Sequence, residues 1–67
     1  MSIMAILTAR EKEVVRLLAQ GKRQREIANL LCISPLTVRD HVQSARRKTG
    51  TNSAFELAVR AASELRS

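Results

Sequence analysis

Two residues, Cys32 and Ile33, separate an apolar-periodic run ending at Leu31 from a second helix start at Ser34-Pro35. Helices joined by so short a connection cannot lie antiparallel and must cross steeply, which is the arrangement of a helix-turn-helix. The second start is chemically explicit. Ser34 supplies a hydroxyl for free amide hydrogens, and Pro35 takes the first helical position, where its missing N–H costs nothing.

Stepping ~100° per residue from Pro35 puts Val38, Val42, Ala45 and Thr49 on one narrow stripe suited to a core. Leu36, Asp40, Gln43 and Arg47 fall on the opposite side, flanked by Arg39 and Ser44, with Thr37, His41 and Lys48 along a further edge. A helix with one side buried and guanidinium, amide and carboxylate tips on the other suits the major groove of DNA. A solvated face on an ordinary surface helix is the competing explanation, and the steep crossing at Cys32-Ile33 favours DNA.

The 67 residues make one small domain, close to the lower size at which a chain folds without staples. With Phe55 the sole aromatic, the core is built from Leu, Ile, Val and Ala, and helices are expected. One cysteine, Cys32, excludes an internal disulfide, and with one histidine there is no closed zinc site; no metal or cofactor is expected. A net charge of +6 implies a negatively charged partner. No apolar run approaches the ~18 residues that span a bilayer, and the start lacks a signal peptide's basic flank and length. A cytoplasmic protein without a membrane partner is expected.

Residues 1–7 read as an apolar lead-in and 8–65 as the domain, with helices near 8–20, 23–31, 35–49 and 53–65. Thr8 and Glu11 form a capping box, Val14, Val15, Leu17 and Leu18 face inward, and Gly21 stops the first helix. Ile27, Leu30 and Leu31 are the expected inner face of the second helix. Gly50 ends the third, and Ser53 with Glu56 is a second capping box. On the last helix Phe55, Ala58, Val59, Ala62 and Leu65 form an apolar stripe that Leu57 and Ala61 widen to roughly 200°, about twice what one core needs. The surplus points to a second molecule, and a two-fold pair would match palindromic DNA; deeper wrapping by a four-helix domain is the alternative.

Leu7-Thr8-Ala9-Arg10-Glu11, Gly21, Glu26-Ile27-Ala28, Ile33-Ser34, Thr37-Val38-Arg39-Asp40-His41 and Lys48-Thr49-Gly50 stand in the order and spacing of the LuxR-type helix-turn-helix domain. The chain resembles that family over about residues 7–62 and looks like a GerE-like member, which consists of the domain alone, or a piece of a longer regulator. The resemblance implies an all-α, four-helix domain that binds double-stranded DNA as a homodimer to regulate transcription. It assigns Arg39, Asp40 and Gln43 to bases, and Arg25, Thr37, His41, Arg46, Arg47 and Lys48 to the phosphate backbone. The dimer contact falls on the last helix, at Phe55, Leu57, Ala58, Ala61, Ala62 and Leu65. The chain departs from the family at Arg23-Gln24, where a small polar pair is usual. Ala45 and Thr49 stand where large aliphatic residues are usual, and Ala54 where an arginine is common.

Individual roles stay open at this level. Arg39 suits bidentate contact with guanine or a phosphate clamp. Asp40 suits cytosine N4, orientation of Arg39, or an ion pair with Arg47 or Lys48. Gln43 fits adenine or simply solvent. His41 has no nucleophile beside it in sequence, so catalysis is not expected, and Cys32 is either a redox-sensing thiol or tolerated packing. Beside the regulator stands an interaction module that pairs through its last helix with a related full-length regulator. RNA polymerase is a further candidate partner, and a cationic membrane-surface helix is disfavoured by the caps and glycine stops.

Overall fold

Local capping chemistry sets where the helices begin and end. The computed structural model describes residues 2–66: a one-turn 3₁₀ helix at Ile3–Ile6, then α1 (Ala9–Ala19), α2 (Gln24–Leu31), α3 (Pro35–Thr49) and α4 (Ala54–Arg66), with no strand among the described residues. The fold is the all-α, four-helix arrangement expected from sequence, and the helix bounds agree to within about one residue. Met1, the first residue of the lead-in, lies outside the described residues.

At the start of α1, Thr8 Oγ1 accepts from the Glu11 amide at 3.2 Å and Glu11 Oε1 accepts from the Thr8 amide at 2.9 Å. Ser34 Oγ accepts from the Thr37 amide at 3.1 Å to open α3. Ser53 Oγ accepts from the Glu56 amide at 3.0 Å, but the Glu56 carboxylate turns to the Asn52 amide at 2.8 Å instead of closing the box on Ser53. The start of α2 has no capping hydroxyl, and only the Glu26 carboxylate, 2.9 Å from the Arg23 amide, covers a free donor there.

Helices α1 and α2 both end in paired return bonds through a left-handed residue. Lys22 and Gly21 amides donate to Leu17 and Leu18 carbonyls, and Ile33 and Cys32 amides to Ala28 and Asn29 carbonyls. Gly21 has φ +89° and Gly50, which ends α3, φ +70°, but the same job after α2 falls to Cys32 at φ +57°. A side chain in that region costs about 1–2 kcal/mol. Cys32→Gly should therefore stabilise the domain by a net ~0.5–1 kcal/mol after the extra freedom of glycine in the unfolded chain is counted. Thermal melts followed by circular dichroism should show a midpoint several degrees higher; an unchanged or lower midpoint would refute the assignment of strain to this turn.

The core gathers Val14, Val15 and Leu18 of α1, Ile27 and Ala28 of α2, Val38, Val42 and Ala45 of α3, and Leu57 and Ala61 of α4. α1 packs on both α3 and α4, α2 leans mainly on α3, and α3 also meets α4. The expected inner stripe of α3 is thus the buried one. The lead-in does more than precede the domain. Ile3, Met4 and Leu7 are buried in the same core, and Ser2 Oγ and the Ile3 amide donate to the Glu64 carboxylate on α4.

Two packing expectations are corrected. Leu30, expected on the inner face of α2, is 58% exposed, and Ala28 takes the buried place beside Ile27. Leu57 and Ala61, expected at a dimer face, are 0% exposed within the single chain. The side of α4 that widens the apolar arc is the one that α1 and α3 cover. Phe55, Val59 and Leu65 are left outside, with Ala58 and Ala62 half-buried.

Candidate nucleic-acid interface

With Val38, Val42 and Ala45 pinned to the core, the rest of α3 has only one way to face. Leu36, Arg39, Asp40 and Arg47 are exposed, and Gln43 is half-buried among them. Among the described residues Arg25, Arg39 and Arg47 make no ion pair, so their charges are available to an outside anion. Arg25 lies in the first turn of α2, beside the free amides of that helix start, where anions are favoured. Asp40 forms no ion pair with Arg47 or Lys48 and no bond to Arg39, so two of its three sequence-level roles are not taken up within the chain.

Thr37 and His41 are half-buried on the edge of the same helix. The Thr37 hydroxyl sits 2.9 Å from Ser34 Oγ and so belongs to the cap of α3 while keeping one side outward. At the far end, Gln43, Arg46, Arg47, Gly50, Thr51 and Asn52 line a shallow polar notch. The sequence marks this place only through Gly50.

Two of the basic residues expected at phosphate are committed within the fold. Lys48 Nζ donates to Glu11 Oε1 at 2.8 Å, which ties the end of α3 to the start of α1. Burial pushes the Glu11 carboxyl up, but hydrogen bonds from Lys48, Ser44 and the Thr8 amide, with the Lys48 charge, outweigh it and hold the group down at about 2. Arg46 Nη2 donates to the Asn52 carbonyl, and its Nε is buried without a partner, so Arg46 braces the α3–α4 turn. Arg60 Nη1 adds a bond to the Thr49 carbonyl at 3.1 Å, a brace the sequence does not announce. Thr49 itself fills the thin end of α3 by bonding its hydroxyl back to the Ala45 carbonyl at 2.8 Å.

The described residues hold no group of three or more His, Cys, Asp or Glu side chains placed for a metal, and none of their helices is long and apolar enough to cross a membrane. The outward side chains of α3 form a basic face, and those of α4 an apolar stripe.

The GerE family model, described as bacterial regulatory proteins of the luxR family, matches residues 5–61. The spore germination protein GerE of Bacillus subtilis (strain 168) is 44% identical over 54 residues, which cover 81% of this chain and 73% of GerE. The transcriptional regulatory protein UhpA of Escherichia coli (strain K12) is also 44% identical over 54 residues, covering 81% of this chain but 28% of UhpA. The transcriptional activator protein AnoR of Acinetobacter nosocomialis is 38% identical over 55 residues, 82% of this chain and 23% of AnoR. The chain thus spans nearly three quarters of GerE and less than a third of the other two. No solved structure matches the chain significantly.

Proposed function

The chain belongs to the luxR family of bacterial regulatory proteins, and from that premise we propose that it binds a palindromic DNA operator as a homodimer, with α3 in the major groove, and so regulates transcription in the cytoplasm. The observation that supports this most is the two-sidedness of α3. Its Val38–Val42–Ala45 back is fixed in the core, while Arg39, Asp40, Gln43 and Arg47 form an outward face with unpaired charge.

In this reading Arg39 takes guanine O6 and N7, Asp40 accepts from cytosine N4, and Gln43 meets adenine. Arg25, Arg47, Thr37 and His41 hold the phosphate backbone, and Arg46 and Lys48 shape α3 for the task. The exposed stripe of Phe55, Val59 and Leu65, with Ala58 and Ala62, pairs two copies across a two-fold axis. RNA polymerase would be met by the DNA-bound dimer.

Selection from a random duplex pool at about 150 mM salt tests the reading, because purely electrostatic attachment weakens there. A two-fold motif with half-sites about one helical turn apart is expected. If the dimer neutralises about eight phosphates, log affinity should fall against log salt with slope near −7. Arg39→Ala should cost about 1–3 kcal/mol and blur one position of the motif. Recovery of no motif would sink the reading. The high exposure of Phe55 would then favour a module that pairs through α4 with a related full-length regulator.

A further inference from the structure

Leucine at position 36 is an unusual choice for the place it holds. It lies in the first turn of α3 and is 68% exposed, and it is not among the side chains packed against the core. It shares a row with Asp40, Gln43 and Arg47, all within about 60° of one another around the helix. Every other member of that row ends in a group that donates or accepts hydrogen bonds. Leu36 can do neither, so it cannot anchor phosphate, and the described residues leave 68% of it exposed.

We infer that Leu36 reads a thymine by packing against its C5-methyl group. The inference rests on the reading of α3 as the groove helix and adds to it a base-specific contact. Residues at the N-terminal end of a recognition helix come closest to base edges. The thymine methyl is the apolar feature that a base pair offers in the major groove, and apolar side chains are its matching partners. A leucine set against the cytosine amino group or guanine O6 would instead strip water from a polar atom without replacing its hydrogen bond. Leu36 therefore selects by attraction to thymine and by exclusion of the other bases. The exposed Leu30 has no such part, because it stands on α2, outside the row.

The test uses the selected operator with each thymine of one half-site replaced in turn by deoxyuridine. That change removes the methyl group and leaves every hydrogen-bonding atom in place. The wild-type chain should lose about fourfold in affinity at one thymine, the loss that one uncovered methyl produces. Leu36→Ala should weaken binding to the thymine operator by a similar factor and should no longer distinguish thymine from deoxyuridine at that position. The side chain is exposed, so the variant should fold as the wild type does, which its helical ellipticity would verify.

Discrimination that survives Leu36→Ala would assign the methyl contact to another residue and overturn the inference. So would a recovered motif with no thymine sensitive to its methyl, although α3 would then keep its place in the groove. Failure to recover any motif would remove the groove reading itself and this contact with it.

Discussion

Lys48→Met should lower the stability of the domain by about 2 kcal/mol at neutral pH, a large part of what a chain of this size has to spare. Breaking a fully buried ion pair costs about 3–5 kcal/mol, and the smaller figure allows for solvent around the lysine end. Glu11 is buried, whereas the Lys48 side chain is 37% exposed. Methionine keeps the aliphatic stem and removes the charge that Glu11 faces across 2.8 Å. Urea unfolding would measure the loss. A variant as stable as the wild type would return Lys48 to the phosphate-binding set.

The same pair gives the domain an acid limit. The Glu11 carboxyl is held at about 2 against an ordinary 4.5. Its folded value is depressed, so the stability it adds is fully present above about 4.5 and is lost as pH falls toward 2. After allowance for screening at the lysine end, that contribution is about 1–2 kcal/mol. In Lys48→Met the carboxyl titrates higher and the acid side of the stability curve should move up in pH. Glu11→Gln should flatten that side. Midpoints that fall identically with pH in all three proteins would show that other carboxylates govern acid unfolding.

The second large effect is expected on α4. Phe55→Ser combined with Val59→Glu changes two side chains that are 79% and 51% exposed, so the monomer should keep its fold. Removal of the Phe55 ring, with a Val59→Glu carboxylate from each copy facing its like across the two-fold, should separate the proposed dimer. Affinity for a two-half-site operator should then drop on the order of 100-fold, since each recognition helix must bind without the other. Sedimentation would report mass and titration of the operator would report affinity. A variant that stays dimeric would move the pairing surface elsewhere, and a monomer with undiminished affinity would refute two-fold binding.

Helix positions were legible because their determinants are local. Thr8, Ser34 and Ser53 announce starts, Gly21 and Gly50 announce ends, and the valines of α3 repeat at helical spacing. Pairings across the chain were not. Glu11 looked complete within its own capping box, and nothing in sequence says that Lys48, 37 positions later, comes to the same oxygen. The apolar arc of α4 is wider than one core can use, and periodicity cannot say which half is covered. The packing of α1 decides it, taking Leu57 and Ala61 inward. Leu30 misled for a related reason: on a helix of only eight residues, small Ala28 next to Ile27 suffices to fill the contact. On α3, where the buried and outward rows lie opposite each other, sequence and structure agree on which side chains face out.

Ser2 and Glu64 stand 62 positions apart and share a hydrogen bond. The path of the backbone is therefore almost a closed loop. A short linker from the last turns of α4 back to Ser2 would follow the path that this bond already closes. The closure also matters for fusions. A tag or domain attached ahead of Ser2 would emerge within reach of the last turns of α4, so its size and charge would bear on how two copies approach each other.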